Sequence, residues 1–151
     1  MIYFLDTSAL LKRYVEEEGS GYIRQLLAYS QLSFHQSFLT PLETTSAFYR
    51  RHRAGLLSIE ELTQILNAYT VHTRDQYVTI LHSDSLMIQA AALIGQHPLR
   101  TLDAIQLAAA LSLRTSLAED APFLTFLSAD ERLLTVARRE HLLTDNPNNH
   151  L

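Results

Sequence analysis

The chain has 151 residues, 47% of them hydrophobic, with four glycines, four prolines and a formal net charge of −4. That composition suits one folded domain with a buried core and excludes disordered and fibrous classes. The acidic balance excludes a protein that coats nucleic acid by bulk charge, but it permits a local basic path to a small acidic site. With no cysteine in the chain, disulfides, thiol nucleophiles and cysteine-held zinc are excluded, which suits a reducing cytoplasm. No apolar run is long enough to span a bilayer, and the N-terminal run is cut short by Asp6, unlike a signal peptide. The expectation is a soluble, cytoplasmic protein with one domain over 1–151 and a polar tail from about 145.

Ile2–Leu5 is apolar and β-favouring, the pattern of a buried strand, and it stops at Asp6. A helix is predicted from about Ser8, with Leu10, Leu11 and Tyr14 at helical spacing, and Gly19 and Gly21 separate it from a second helix whose buried face is Ile23, Leu26 and Leu27. "LSFHQ" reads as a short strand. Thr40, Pro41 and Glu43 then form a helix start, with Thr40 as N-cap and Glu43 completing a capping box, and Gly55 ends that helix. Ser58 and Glu61 repeat the box for a helix reaching about Gln76, and "YVTILH" is the third strand. A helix from Asp84 ends near "GQHP", Thr101 caps the alanine-rich helix "LDAIQLAAALSLR", and "PFLTFLS" is the fourth strand. Ser128 opens the last long helix, followed by at most a short strand and the tail. Strands alternating with helices predict an α/β fold, a three-layer α/β/α sandwich on a mainly parallel central sheet.

In such sheets, sites form at the carboxyl ends of the strands. Asp6 lies at one such end and Asp130 just after another, while the helix starts bearing Glu43 and Asp103 reach the same edge. Each acid has a structural explanation as a helix cap or a first-turn carboxylate, worth roughly 0.3–1 kcal/mol. Together they would repel, which demands raised pKa values or a cation. An all-oxygen set suits Mg²⁺ or Mn²⁺, ions that activate water and stabilise an in-line phosphoryl displacement. Thr7, Ser8 and Ser128 are the hydroxyls able to orient these carboxylates.

Four segments, "FLDTSALLKRY", "TPLETTSAFYRR", "LRTLDAIQLAAA" and "FLSADERLLTVARRE", occur in an order and spacing that resembles the PIN-domain family. Within it the chain is most similar to the VapC-type toxins of bacterial and archaeal toxin–antitoxin pairs. The resemblance implies a metal-dependent endoribonuclease that hydrolyses RNA phosphodiesters with a metal-activated water, leaving a 3′-hydroxyl and a 5′-phosphate. It places Asp6, Glu43, Asp103 and Asp130 on the four acidic positions. Asp6 and Asp103 match the direct ligands, Glu43 acts through water or as a helper, and Asp130 belongs to a second, weaker metal site. A cognate antitoxin and a homodimer are implied partners.

Arg100, Arg50 and Arg51 are candidate RNA contacts, with Tyr49 available for stacking, while Arg53 reads as a helix-end surface charge. The seven histidines form no zinc-ligand spacing, and Ser8 has no nucleophile elbow. Tyr3, Phe4, Phe34, Phe123 and Phe126 read as core aromatics. Two alternatives stand beside the nuclease: a PIN-like RNA- or protein-binding or processing module without a toxin role, and an aspartate-based phosphotransferase. The phosphotransferase is disfavoured because Ser8 occupies the position where a second acid is wanted.

Overall fold

The structure is a computed structural model that describes residues 1–119 and 123–150. Pro122, the head of the predicted fourth strand, and Leu151, the end of the predicted tail, lie outside the described residues. The strands are β1 (Ile2–Leu5), β2 (Ser33–Ser37), β3 (Tyr77–Ile80), β4 (Leu124–Leu127) and β5 (Leu143–Asp145). The helices are α1 (Thr7–Leu10), α2 (Ser20–Leu26), α3 (Thr40–Arg53), α4 (Ile59–Asp75), α5 (Asp84–Gln96), α6 (Thr101–Ser116) and α7 (Glu131–Arg139).

All strand pairings are parallel, in the order β3-β2-β1-β4-β5. Every residue of β1 and β4 is buried, as befits parallel strands covered on both faces. Ile2, Phe4, Leu124 and Phe126 point to one face and pack against α5, α6 and α7. Tyr3, Leu5, Phe34 and Leu127 point to the other and pack with residues of α1, α2, α3 and α4. The alternation follows from the period of two along a strand, and it makes the three layers. On α6 the alanines Ala104, Ala108, Ala109 and Ala110 are buried, so small side chains bring this helix close to its neighbours.

The capping predictions fare unequally. Ser58 and Glu61 form the full reciprocal box. Thr40 lies inside α3 behind an N-cap at Leu39 that makes no side-chain bond, and Thr101 lies inside α6 behind Arg100. Asp130, not Ser128, caps α7. The predicted first helix is a single α-turn continued by a 3₁₀ turn at Leu11–Arg13. Phe123 is 77% exposed, so it is not a core aromatic; it lies just before β4, outside the alternation that buries Leu124 and Phe126. After β5, Asn146 and Pro147 are buried, and a Cβ on Gly19 would meet the Pro147 carbonyl oxygen at 2.5 Å. Gly19 also has φ +79, so a side chain there meets both strain and a clash.

Candidate active site

The chain fills the sheet from β1 through β2 to β3 on one side, then crosses to place β4 on the other side of β1. The point where strand order reverses is therefore between β1 and β4, and the crevice beyond their carboxyl ends is where open α/β sheets place ligands. Asp6 follows β1 there and Ser128 follows β4, their backbones joined at the strand ends by Asp6 N–H donating to the Leu127 carbonyl at 2.9 Å.

Asp6 is 6% exposed and caps α1, its Oδ2 accepting from the Ser8 N–H at 3.3 Å. The same Oδ2 accepts from Ser8 Oγ at 2.5 Å and from Ser128 Oγ at 2.9 Å. Those hydroxyls are themselves held, since Ala129 N–H donates to Ser8 Oγ at 2.9 Å and Asp130 N–H donates to Ser128 Oγ at 3.0 Å. Asp6 is thus a cap and a candidate site residue at once: every one of these bonds falls on Oδ2 and none on Oδ1.

Glu43 does not close a capping box with Thr40. Its Oε1 accepts from Gln106 Nε2 at 2.6 Å and from Thr7 Oγ1 at 3.1 Å. Gln106 Nε2 also lies 3.1 Å from Thr7 Oγ1 and 3.2 Å from Thr40 Oγ1, so one buried amide ties α1, α3 and α6 together beneath Glu43. Sequence reasoning missed Gln106. The available signal was a polar residue three positions after Asp103, in a stretch of α6 otherwise small and apolar. The hydroxyl of Thr40, freed from capping, serves this network instead.

Asp103 Oδ2 accepts from Arg100 Nε at 3.0 Å, and the same guanidinium lies 3.5 Å from Asp130 Oδ2. Asp130 Oδ1 accepts the Arg132 N–H at 2.9 Å, the N-cap bond of α7. Arg100, expected as a substrate contact, rests on two of the acids. Arg51 is turned away and pairs with Glu17, next to the buried Lys12. Arg50 lines a cavity of about 290 Å³ that begins at Thr7 and Glu43.

Burial pushes the Asp6 carboxyl above the usual carboxylate range, against the pull of the Ser8 and Ser128 hydrogen bonds, and the Asp103 charge adds to the rise. Glu43 is raised in the same way by burial, with Asp6 and Asp103 both adding to it, against the bonds from Gln106 and Thr7. Asp103 therefore acts electrostatically on both acids. Among the described residues, no three histidine, aspartate or glutamate side chains enclose a metal position as they stand. The donor chemistry nevertheless fits a hard divalent cation. The bonds among the described residues fall on Asp6 Oδ2, Glu43 Oε1 and Asp103 Oδ2, which leaves Asp6 Oδ1, Glu43 Oε2 and Asp103 Oδ1 outside them. The candidate residues for such an ion are Asp6 and Glu43, with Asp103 and Asp130 at the rim beside Arg100.

A family model described as the PIN domain matches residues 3–139. The chain belongs to the PIN-domain family, and its fold is that of VapC-type toxins. VapBC2 from Rickettsia felis, solved bound to a DNA fragment from its promoter, superposes with a TM-score of 0.66 at 14% identity, covering 97% of this chain and 98% of that one. Mycobacterium tuberculosis VapC20, a sarcin–ricin loop cleaving toxin, gives 0.64 at 14% identity over 88% and 93% of the two chains. A toxin–antitoxin complex from Klebsiella pneumoniae gives 0.55 at 19% identity over 85% and 86%. No curated protein matches the chain significantly by sequence.

Proposed function

We propose that the protein is a Mg²⁺- or Mn²⁺-dependent endoribonuclease and the toxin of a toxin–antitoxin pair. What supports the reading is that Asp6 ends β1 at the β1–β4 switch point and that Asp6, Glu43 and Asp103 each keep one carboxylate oxygen outside the internal bonds, with Asp103 acting on the charge of the other two. A bound divalent cation would activate water and neutralise charge at the scissile phosphate. The chain's own part is orientation. Ser8 and Ser128 fix Asp6, and Thr7 and Gln106 fix Glu43. Arg100 stands beside Asp103 and Asp130, from where its guanidinium can turn to a phosphate oxygen, and it is 73% exposed along its side chain, so little packing restrains it. Arg50 is the second phosphate contact. Asp130 supports a rim position while capping α7.

PIN-family membership and the likeness to a sarcin–ricin loop cleaving toxin support RNA as substrate. The likeness to a toxin–antitoxin complex supports a cognate antitoxin. Action in the cytoplasm is part of the same proposal; among the described residues no helix is long and apolar enough to cross a membrane. Leu81 and Ile88, 74% and 71% exposed after β3 and on α5, support a homodimer formed there.

The test is cleavage of a mixed RNA pool by the purified chain in Mg²⁺, Mn²⁺ or EDTA, beside Asp6→Asn and Asp103→Asn. Metal-dependent cutting lost in both variants is the expected result. Cutting that survives both would reject the assignment.

A further inference from the structure

The arginines at the end of α3 are engaged differently. Arg51 pairs with Glu17, and the Arg53 guanidinium lies 5.8 Å from the centre of the Tyr49 ring. Arg50 is exposed and, among the described residues, has no carboxylate partner. It is also the one of the three that lines the 290 Å³ cavity beginning at Glu43. Glu43, Ser46 and Arg50 recur at helical spacing, so one face of α3 carries the candidate site's carboxylate at one end, the Arg50 guanidinium two turns or ~10 Å further on, and a hydroxyl between them. Leu39, Leu42 and Leu102 make the walls, and Leu42 and Leu102 are 71% and 48% exposed.

We propose that this groove is a nucleoside subsite. It takes one unstacked base of a single-stranded RNA between Leu42 and Leu102, while Arg50 holds the phosphate on the side away from the carboxylates. The proposal rests on the ribonuclease reading and adds to it where the strand runs. A strand with one phosphate at Asp6, Glu43 and Asp103 has to leave the crevice along the surface, and the groove starts at Glu43. An apolar slot ending in an exposed guanidinium is complementary to a nucleotide, whose base has an apolar face and whose phosphate is an anion. The slot lies at the small end of ligand pockets, roughly 300–1,000 Å³, a size for one ring system and not for the row of anchors along a docked helix. Leucine walls select for an unstacked base without reading its edge. The Ser46 hydroxyl, a donor and an acceptor, is the group placed to do so.

The test is binding of a short fluorescent single-stranded RNA to the full chain in EDTA, with a single abasic position moved along the oligonucleotide. The wild type should lose affinity when the abasic site falls at one register. Ser46→Leu fills the groove from an exposed position; it should weaken binding about tenfold and erase that register dependence. Arg50→Ala should weaken binding and lower the salt slope by about one phosphate. Arg50→Lys should restore the slope, and Arg53→Ala should behave as wild type. Thermal melts establish that each variant is folded, with Leu42→Ala as a second groove variant. Wild-type affinity and an unchanged abasic register in Ser46→Leu would overturn the proposal. So would loss of an antitoxin's binding with RNA binding intact, which would make the groove a protein-docking surface. Cleavage in Mg²⁺ is scored separately: cutting with groove-independent binding removes only the subsite, and groove-dependent binding without cutting removes only the ribonuclease reading.

Discussion

Asp6 and Glu43 form the floor of the candidate site, Asp103 and Asp130 its rim, and the two pairs are held in different ways. The floor acids are buried or half-buried, and neutral donors fixed by backbone bonds and packing orient them: Ser8, Ser128, Thr7 and Gln106. The rim acids answer to Arg100, a long and largely exposed side chain. Neutral donors in a buried site orient a carboxylate without cancelling its charge, so the floor keeps its attraction for a cation. A guanidinium offsets charge, and in water it does so weakly and reversibly. The floor is thus preorganised at a cost in stability, whereas the rim is adjustable at little cost.

The largest way to test this contrast is Asp6→Asn, expected to reduce metal-dependent RNA cleavage by more than about 100-fold, beyond the ~10–100-fold typical of residues that only support a ligand. Cleavage rates within tenfold of wild type would contradict the role of Asp6. Next is Gln106→Leu, which strips Glu43, Thr7 and Thr40 of their shared donor. It should lower cleavage about 10–100-fold and stability by about 1–3 kcal/mol, read from turnover and a urea melt of the same sample. An effect on stability alone would make Gln106 a core residue only.

The pH dependence separates floor from rim. Asp6 and Glu43 titrate above their ordinary values of 3.8 and 4.5 when folded. Protonation therefore favours the folded state: the contribution is fully present below those ordinary values and is lost as pH rises through the raised ones. The melting temperature of Asp6→Asn should exceed that of the wild type in EDTA at neutral pH, and the gap should close on acidification. Saturating Mn²⁺ should narrow it by stabilising only the wild type. A gap independent of pH would mean that Asp6 is not a buried, repelled carboxylate. The smallest effect is expected at the rim, where Arg100→Ala should tighten Mn²⁺ binding by no more than about fivefold, followed by calorimetry at low and high salt. Weaker Mn²⁺ binding in that variant would reverse the account of the rim.

Strand and helix order, the parallel sheet and the elements that carry the four acids were legible from hydrophobic period and breaker residues, because those signals are local. Helix caps were legible unequally. Ser58 is exposed and caps α4 as its sequence suggests, whereas the buried hydroxyls of Thr40 and Ser128 went to Gln106 and Asp6. A hydroxyl in the interior bonds whichever donor or acceptor lies nearest in space, since leaving one unpaired is costly, and sequence distance does not enter. Ser128 and Asp6 are 122 positions apart, and Gln106 and Glu43 are 63 apart.

The sequence by itself therefore determined which residue types were available and which strand ends they terminate. Only the tertiary structure decided that Asp6 is at once cap and candidate ligand, that Gln106 belongs beneath Glu43, and that Arg50 faces the groove while Arg51 does not. The period of a strand or helix repeats every few residues and can be read along the chain. The partner of a buried polar group is set by the crossing from β3 to β4, which brings distant segments to one edge of the sheet.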